Sequence, residues 1–223
     1  MVNSLLRPVT YLWLAALLSL AACAAAAEPE PDTCDGADYL FADDFGGEFD
    51  CGWALYDRGG RSAAIDNAAM QLAVGQPGEL WWTNPGRDFD DVVITAEARQ
   101  VDGPNNNAYG IICRYQNEEN FYAFLVSGDG YYAIGKYQSG SDTVIHLTPD
   151  AQFQPSDAIN VGVASNELRV SCIGSELSLE INGIPVMTVS DPTFVTGDIG
   201  LAAGTLEQGT TIVEFDNVRV TLP

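Results

Sequence analysis

Positive charge is scarce in this chain. Nine lysines and arginines stand against 31 aspartates and glutamates, a net charge of −22 over 223 residues. Phosphate backbones are bound through a basic footprint, so a nucleic-acid partner is excluded. The same deficit disfavours docking of the folded body on anionic lipid. Histidine is rarer still, with His146 alone, and no Cys-x-x-Cys pair occurs, so zinc has no ligand set to build on. Gly-x-Ser-x-Gly is missing as well, and with it the nucleophile of a strand-turn-helix elbow. Beyond the N-terminal region no window holds apolar residues at helical spacing for three turns. Glycine (22) and proline (11) are at ordinary levels, which excludes collagen-like and low-complexity chains.

What is present begins with an address. Arg7 precedes an apolar run, 9–22, that ends in small residues at a cysteine, the layout of a secretory signal. The run is shorter than the ~20 residues of a membrane span. Extension through the alanines after Cys23 reaches that length, so an uncleaved anchor and an ordinary cleavage after alanine stand as alternatives. Leu20-Ala21-Ala22-Cys23 resembles the bacterial lipobox, in which the cysteine is acylated and becomes the first mature residue. On this reading 1–22 is a lipoprotein signal peptide and lipidated Cys23 is the protein's link to the membrane. Residues 23–34 form a solvated, semi-rigid tether with two Glu-Pro pairs, and 35–223 is a single domain facing outside the cytoplasm. Ala24 rather than aspartate follows the cysteine, which points to the outer membrane where the cell has one.

Four cysteines remain: Cys34, Cys51, Cys113 and Cys172. An even number in an exported chain implies two disulfides. Three connectivities are open, as is a set of four buried thiols. The expected pairing is Cys34–Cys51, closing a short loop where the domain starts, and Cys113–Cys172, stapling two strand-like segments.

Short apolar or alternating runs, rich in Val, Ile, Tyr and Phe and bounded by turn residues, fill the rest. They lie at 39–45, 69–74, 79–84, 91–101, 108–116, 120–127, 131–138, 142–148, 167–174, 176–182, 184–191, 197–205 and 211–222. Such runs are strands. Asp129-Gly130 and Asn182-Gly183 supply the positive φ of tight hairpins. About a dozen antiparallel strands without a helical layer bury their faces only against another sheet, so the expected fold is all-β, a two-sheet sandwich or jelly roll.

Four segments carry a resemblance: FADDFGG with CGW, NAYGIICRYQNEENFYAFLVSGDGYYAIGKY, NELRVSCIGSELSLEINGIPV and the terminal FDNVRV. In this order they resemble the bacterial concanavalin A-like sandwich family that includes laminin-G-like modules and the 3-keto-disaccharide hydrolase-like domain. The resemblance spans about residues 39–222. It implies a curved jelly roll on secreted or tethered proteins that bind or process glycans. It also implies a structural calcium ion between first and last strands, held by Asp44 and Asp216 with Asp43 in reserve. Calcium takes six to eight oxygens, and the alternative is that these acids satisfy loop amides.

Catalysis finds little support in the residues. Glycoside hydrolysis uses two carboxylates across a groove, and the family-16 hydrolases of this fold place three acids on one strand. Glu97 and Glu180 instead stand alone among apolar neighbours, and His146 shows no orienting carboxylate. Sugar binding fits better, because pyranose faces lie on aromatic rings while a polar rim reads the hydroxyls. The candidates are Trp81, Trp82, Tyr109, Arg114, Tyr115, Tyr122, Tyr131 and Tyr132. Adjacent strand residues point to opposite faces, so one of each aromatic pair belongs to the core. The reading is a lipid-anchored, non-catalytic module for a glycan or cell-surface partner. A glycoside-processing enzyme of the keto-disaccharide hydrolase type and a structural envelope lipoprotein are its alternatives.

Overall fold

The computed structural model describes residues 34–47, 49–141 and 143–223. The signal at 1–22, Cys23 and the tether up to residue 33 lie outside the described residues. Nine strands form one antiparallel sheet. In spatial order they are β14 (Ile184–Ser190), β13 (Glu176–Ile181), β12 (Ser165–Ile173), β6 (Val92–Asp102), β16 (Thr211–Thr221), β4 (Ala69–Val74), β3 (Arg61–Asp66) and β2 (Tyr56–Arg58), with β1 (Phe41–Asp43) also on β16. The second sheet runs β10 (Ile145–His146), β9 (Tyr131–Tyr137), β8 (Asn120–Val126), β7 (Asn107–Asn117) and β15 (Asp198–Thr205), with β11 (Gln154–Pro155) on β9. β5 (Glu79–Thr83) lies against β15: the Gly78 N–H donates to the Thr205 carbonyl at 2.7 Å, and the Asn84 amide donates to the Ile199 carbonyl. The described residues hold no α-helix, only a 3-10 turn at Pro149–Ala151.

Period-2 patterning sets the nine-stranded sheet. Ile94, Ala96 and Ala98 of β6 and Leu168, Val170 and Cys172 of β12 point inward, while Glu97, Arg99, Glu167 and Arg169 face water. Facing them across the core are Tyr109, Ile111, Tyr122, Phe124, Tyr132, Ile134, Ile199 and Leu201. The other sheet departs from this economy, since β7, β8, β9 and β15 are buried along most of their length on both faces. On the face away from the core, Ala108, Ile112, Phe121, Ala123, Leu125 and Ala202 form a second apolar layer. Leu80, Trp82, Tyr115, Tyr137 and Phe153 cover it.

Both expected disulfides are formed. Cys34–Cys51 spans 5.6 Å between Cα atoms, and Cys113–Cys172 spans 6.9 Å. The second bond ties β7 of one sheet to β12 of the other through the core. Asn182 and Gly183 have φ of +52° and +77°, the left-handed pair that a two-residue hairpin needs. Three strands exceed the sequence expectation: β2, β3 and β11. The segment 142–148 contributes only Ile145–His146 as strand.

Candidate functional site

A cleft of about 440 Å³ opens beside β5, walled by Tyr56 and Arg58 of β2 and by Tyr115 and Glu118 at the far end of β7. The sequence ELWWT of β5 is half-buried on both sides except at Thr83, so its tryptophans serve different layers. Trp81 packs against the main core and Trp82 against the outer apolar layer. From Trp82 a row of rings crosses the outer face. Trp82 and Phe121 are 4.9 Å apart between centroids, Tyr115 and Phe121 5.7 Å, and Phe121 and Tyr137 4.3 Å with planes 14° from parallel. Phe121 is fully buried beneath its neighbours, whereas Trp82, Tyr115 and Tyr137 are half-buried.

Two guanidiniums stand beside Trp81. The Arg61 guanidinium sits 4.5 Å from the Trp81 ring centre, and that of Arg58 lies 5.5 Å from Trp81 and 5.8 Å from Tyr56. Such placements gain from the negative ring face. Arg61 donates through Nε to Glu79 Oε2 at 2.6 Å and through Nη2 to Oε1, and Trp81 Nε1 donates to the same carboxylate at 3.1 Å. The Arg61 hydrogen bonds hold the Glu79 carboxyl below the usual carboxylate range, and Glu79 in turn raises Arg61. The Tyr56 hydroxyl donates to the Trp82 carbonyl at 3.2 Å, and burial pushes its pKa up to about 12. It is therefore a neutral prop for β5 at any physiological pH.

Of the aromatics picked from sequence, Trp81, Trp82 and Tyr115 meet at this cleft. Tyr131 is 41% exposed and borders a separate depression of about 250 Å³ with Asp129 and Phe153. Four other candidates, Tyr109, Tyr122, Tyr132 and Arg114, have buried side chains with hydrogen-bond partners inside the fold. Tyr109 is in the core, where its hydroxyl accepts from Asn166. Tyr122 donates to Asp191 Oδ1 at 2.6 Å, beside the buried Lys136–Asp191 ion pair. Tyr132 donates to the Val186 carbonyl. Arg114 is 1% exposed at a bulge with φ of +53°, and its guanidinium binds the Gly174 and Phe194 carbonyls at 2.6 and 2.7 Å and Asp91 at 3.1 Å. It is a strut between loops. His146 is half-buried, edge-on to Phe153 at 5.7 Å, with its pKa lowered by burial.

Asp43 is also committed internally, accepting from Trp53 Nε1 at 2.9 Å and from the Phe45 amide at 2.8 Å. Asp44 accepts from the Gly46 amide and Asp216 from the Asn217 amide. Burial, with Glu97 and Asp44 nearby, raises the Asp216 carboxyl. Each of these carboxylates keeps acceptor positions beyond its loop amide, and a calcium ion there would need backbone carbonyls to complete its six to eight oxygens. Among the described residues no group of three or more His, Cys, Asp or Glu side chains converges as a metal site.

Sequence reading passed over Tyr56, Arg58, Glu79 and Glu118. One signal for them was present. Arg58-Gly59-Gly60-Arg61 places two of the chain's nine cations around a glycine turn, which is a hairpin signature.

No family model matches the chain, and no curated protein matches it in sequence. Solved structures do match in fold. A carbohydrate-binding module, CBM66, from Bacillus subtilis superposes with a TM-score of 0.61 at 17% identity, covering 76% of this chain and 95% of that one. A Bacillus subtilis protein of unknown function with a galectin-like fold gives 0.57 at 12% identity over 84% and 97%. A Bacteroides ovatus mixed-linkage glucan GH16 protein, in complex with its G4G4G3G product, gives 0.56 at 11% over 81% and 99%. At these identities the likeness establishes the concanavalin A- and galectin-like sandwich and nothing finer.

Proposed function

We propose that this is a non-catalytic glycan-binding module that is exported and lipid-anchored through Cys23. The observation that carries the reading is the row Trp82, Tyr115, Phe121 and Tyr137, which gives the outer face of the second sheet a part-exposed aromatic floor. Tyr and Trp combine an apolar face with a polar edge, the surface on which a sugar ring rests. The cleft adds Arg58, Glu79, Asn84 and Glu118 as polar contacts at its rim. Similar folds among carbohydrate-binding modules and glycoside hydrolase proteins support the same class. Paired-carboxylate hydrolysis needs one carboxyl that stays protonated. Glu79, tied to Arg61, is shifted the other way and so does not supply that carboxyl. The finer kinship with laminin-G-like and keto-disaccharide hydrolase-like domains belongs to this proposal too.

Two buried or half-buried disulfides suit an oxidising, extracytoplasmic compartment. The anchor rests on Leu20-Ala21-Ala22-Cys23 alone, and mass spectrometry of the mature N-terminus tests it. A diacylated or triacylated peptide starting at Cys23 is expected, and an unmodified start elsewhere refutes it. For the binding role, a glycan array probed with the detergent-solubilised full chain should return hits. A silent array favours the structural-lipoprotein reading.

A further inference from the structure

The β2–β3 hairpin has an uneven charge balance. Arg58 and Arg61 are directly opposed across it, closing the Gly59-Gly60 turn. Like charges facing each other across strands repel. Of the two carboxylates lining the cleft, Glu118 forms no ion pair with either arginine, and the other is Glu79. It is taken by Arg61 through two nitrogens. Arg58 has no carboxylate within ion-pairing distance among the described residues, although the chain carries 31 acids. Its guanidinium is not left to wander, since the Tyr56 and Trp81 rings lie under it at 5.8 and 5.5 Å. Trp81 is fixed in turn by its bond to Glu79. A planar five-donor fork is thus mounted at the wall of the cleft.

We infer that the cleft takes a carboxylated sugar, with the carboxylate of one uronic-acid unit paired to Arg58. This inference rests on the glycan-binding reading. The aromatic row supplies a floor for neighbouring sugar rings, and beside it Arg58 supplies a cation that has no ion-pair partner among the described residues. A fork-to-fork pair is the strong form of this contact. The surrounding net charge of −22 repels polyanions, while the pair itself acts within a Debye length of ~8 Å. The fitting ligand is a largely neutral oligosaccharide bearing a single acidic unit rather than a polyuronate. Trp81 changes role accordingly: it is the pedestal of Arg58, and Trp82 and Tyr115 are the stacking surface.

The test is titration of the full chain with oligosaccharides carrying one glucuronate, galacturonate, mannuronate or sialate unit, each against its neutral methyl ester. At least one acid should bind about tenfold more tightly than its ester, the gain of a charge-assisted pair. Arg58→Ala and Arg58→Gln should bring that ratio close to one while melting like the parent, because Arg58 is exposed on an edge strand. Esters binding as well as acids, or a preference that survives both substitutions, overturns the inference and leaves glycan binding standing. Preference for a sulfated oligosaccharide over the carboxylated one overturns it in the same way. No binding of acid or ester overturns both readings together.

Discussion

Phe121 and Tyr137 stack with ring centres 4.3 Å apart on the side of the sheet that faces away from the core. Phe121 is nonetheless as buried as any core residue, because Trp82 and Tyr115 close over it. The outer layer is therefore a structural unit as well as a surface. Phe121→Ala should cost ~3–5 kcal/mol, the range for a buried aromatic, in urea unfolding. A loss below ~1 kcal/mol would show that the outer rings are not packed as described.

Tyr131 and Tyr132 divide the two faces of one strand, at 41% and 6% exposure. Tyr132→Ala removes a core ring and its bond to the Val186 carbonyl, and should destabilise by ~3–5 kcal/mol. Tyr131→Ala should stay within about 0.5 kcal/mol of the parent, as surface changes do. Equal effects on the melting temperature contradict the assigned faces.

The two disulfides differ in reach, closing separations of 17 and 59 residues. In the loop-entropy account the longer loop gains more. The Cys113→Ala/Cys172→Ala double change should cost more than the Cys34→Ala/Cys51→Ala one, each in the range of ~2–5 kcal/mol. The reverse order in chemical unfolding would show that native-state packing at Cys34–Cys51 outweighs loop length.

Asp198 gives the fold a pH signature. Burial pushes its carboxyl from an ordinary 3.8 up to about 6, although the Gly86, Arg87 and Ile199 amides donate to it. A folded-state pKa above the unfolded one contributes stability in full below pH 3.8, and that stability is lost as pH rises through about 6. Asp43 and Asp216 are shifted in the same direction. The contribution of these groups falls with rising pH between those limits, against the opposite contribution of the downshifted Glu79 and Asp191, and Asp198→Asn should make stability fall less, or rise more, with pH there. An unchanged slope in the variant assigns the effect to other groups.

Much of the fold was legible because several strands bury one face only. β6, β12 and β16 alternate apolar and polar residues, and Asn182-Gly183 announces its turn. The site was harder to read. β2 and β3 carry YDR and RSAAID, with few β-branched residues and no sustained alternation, so the hairpin that walls the cleft has only Gly59-Gly60 as a cue. Arg114 looked like a ligand contact because it lies among tyrosines, but a bulge in β7 turns it inward. The covering of Phe121 depends on rings from β5, β7 and β9, which only the sheet order brings together.

The central claim, that the outer aromatic row is a sugar-binding floor, is met most directly by calorimetric titration of an array-positive oligosaccharide into parent, Trp82→Ala and Tyr115→Ala proteins. Each substitution should weaken binding by ~1 kcal/mol or more, the scale of one lost aromatic contact, with the parent's disulfides and sheet structure retained. Full affinity in both variants would contradict the account, because the ligand would then be held somewhere other than this floor.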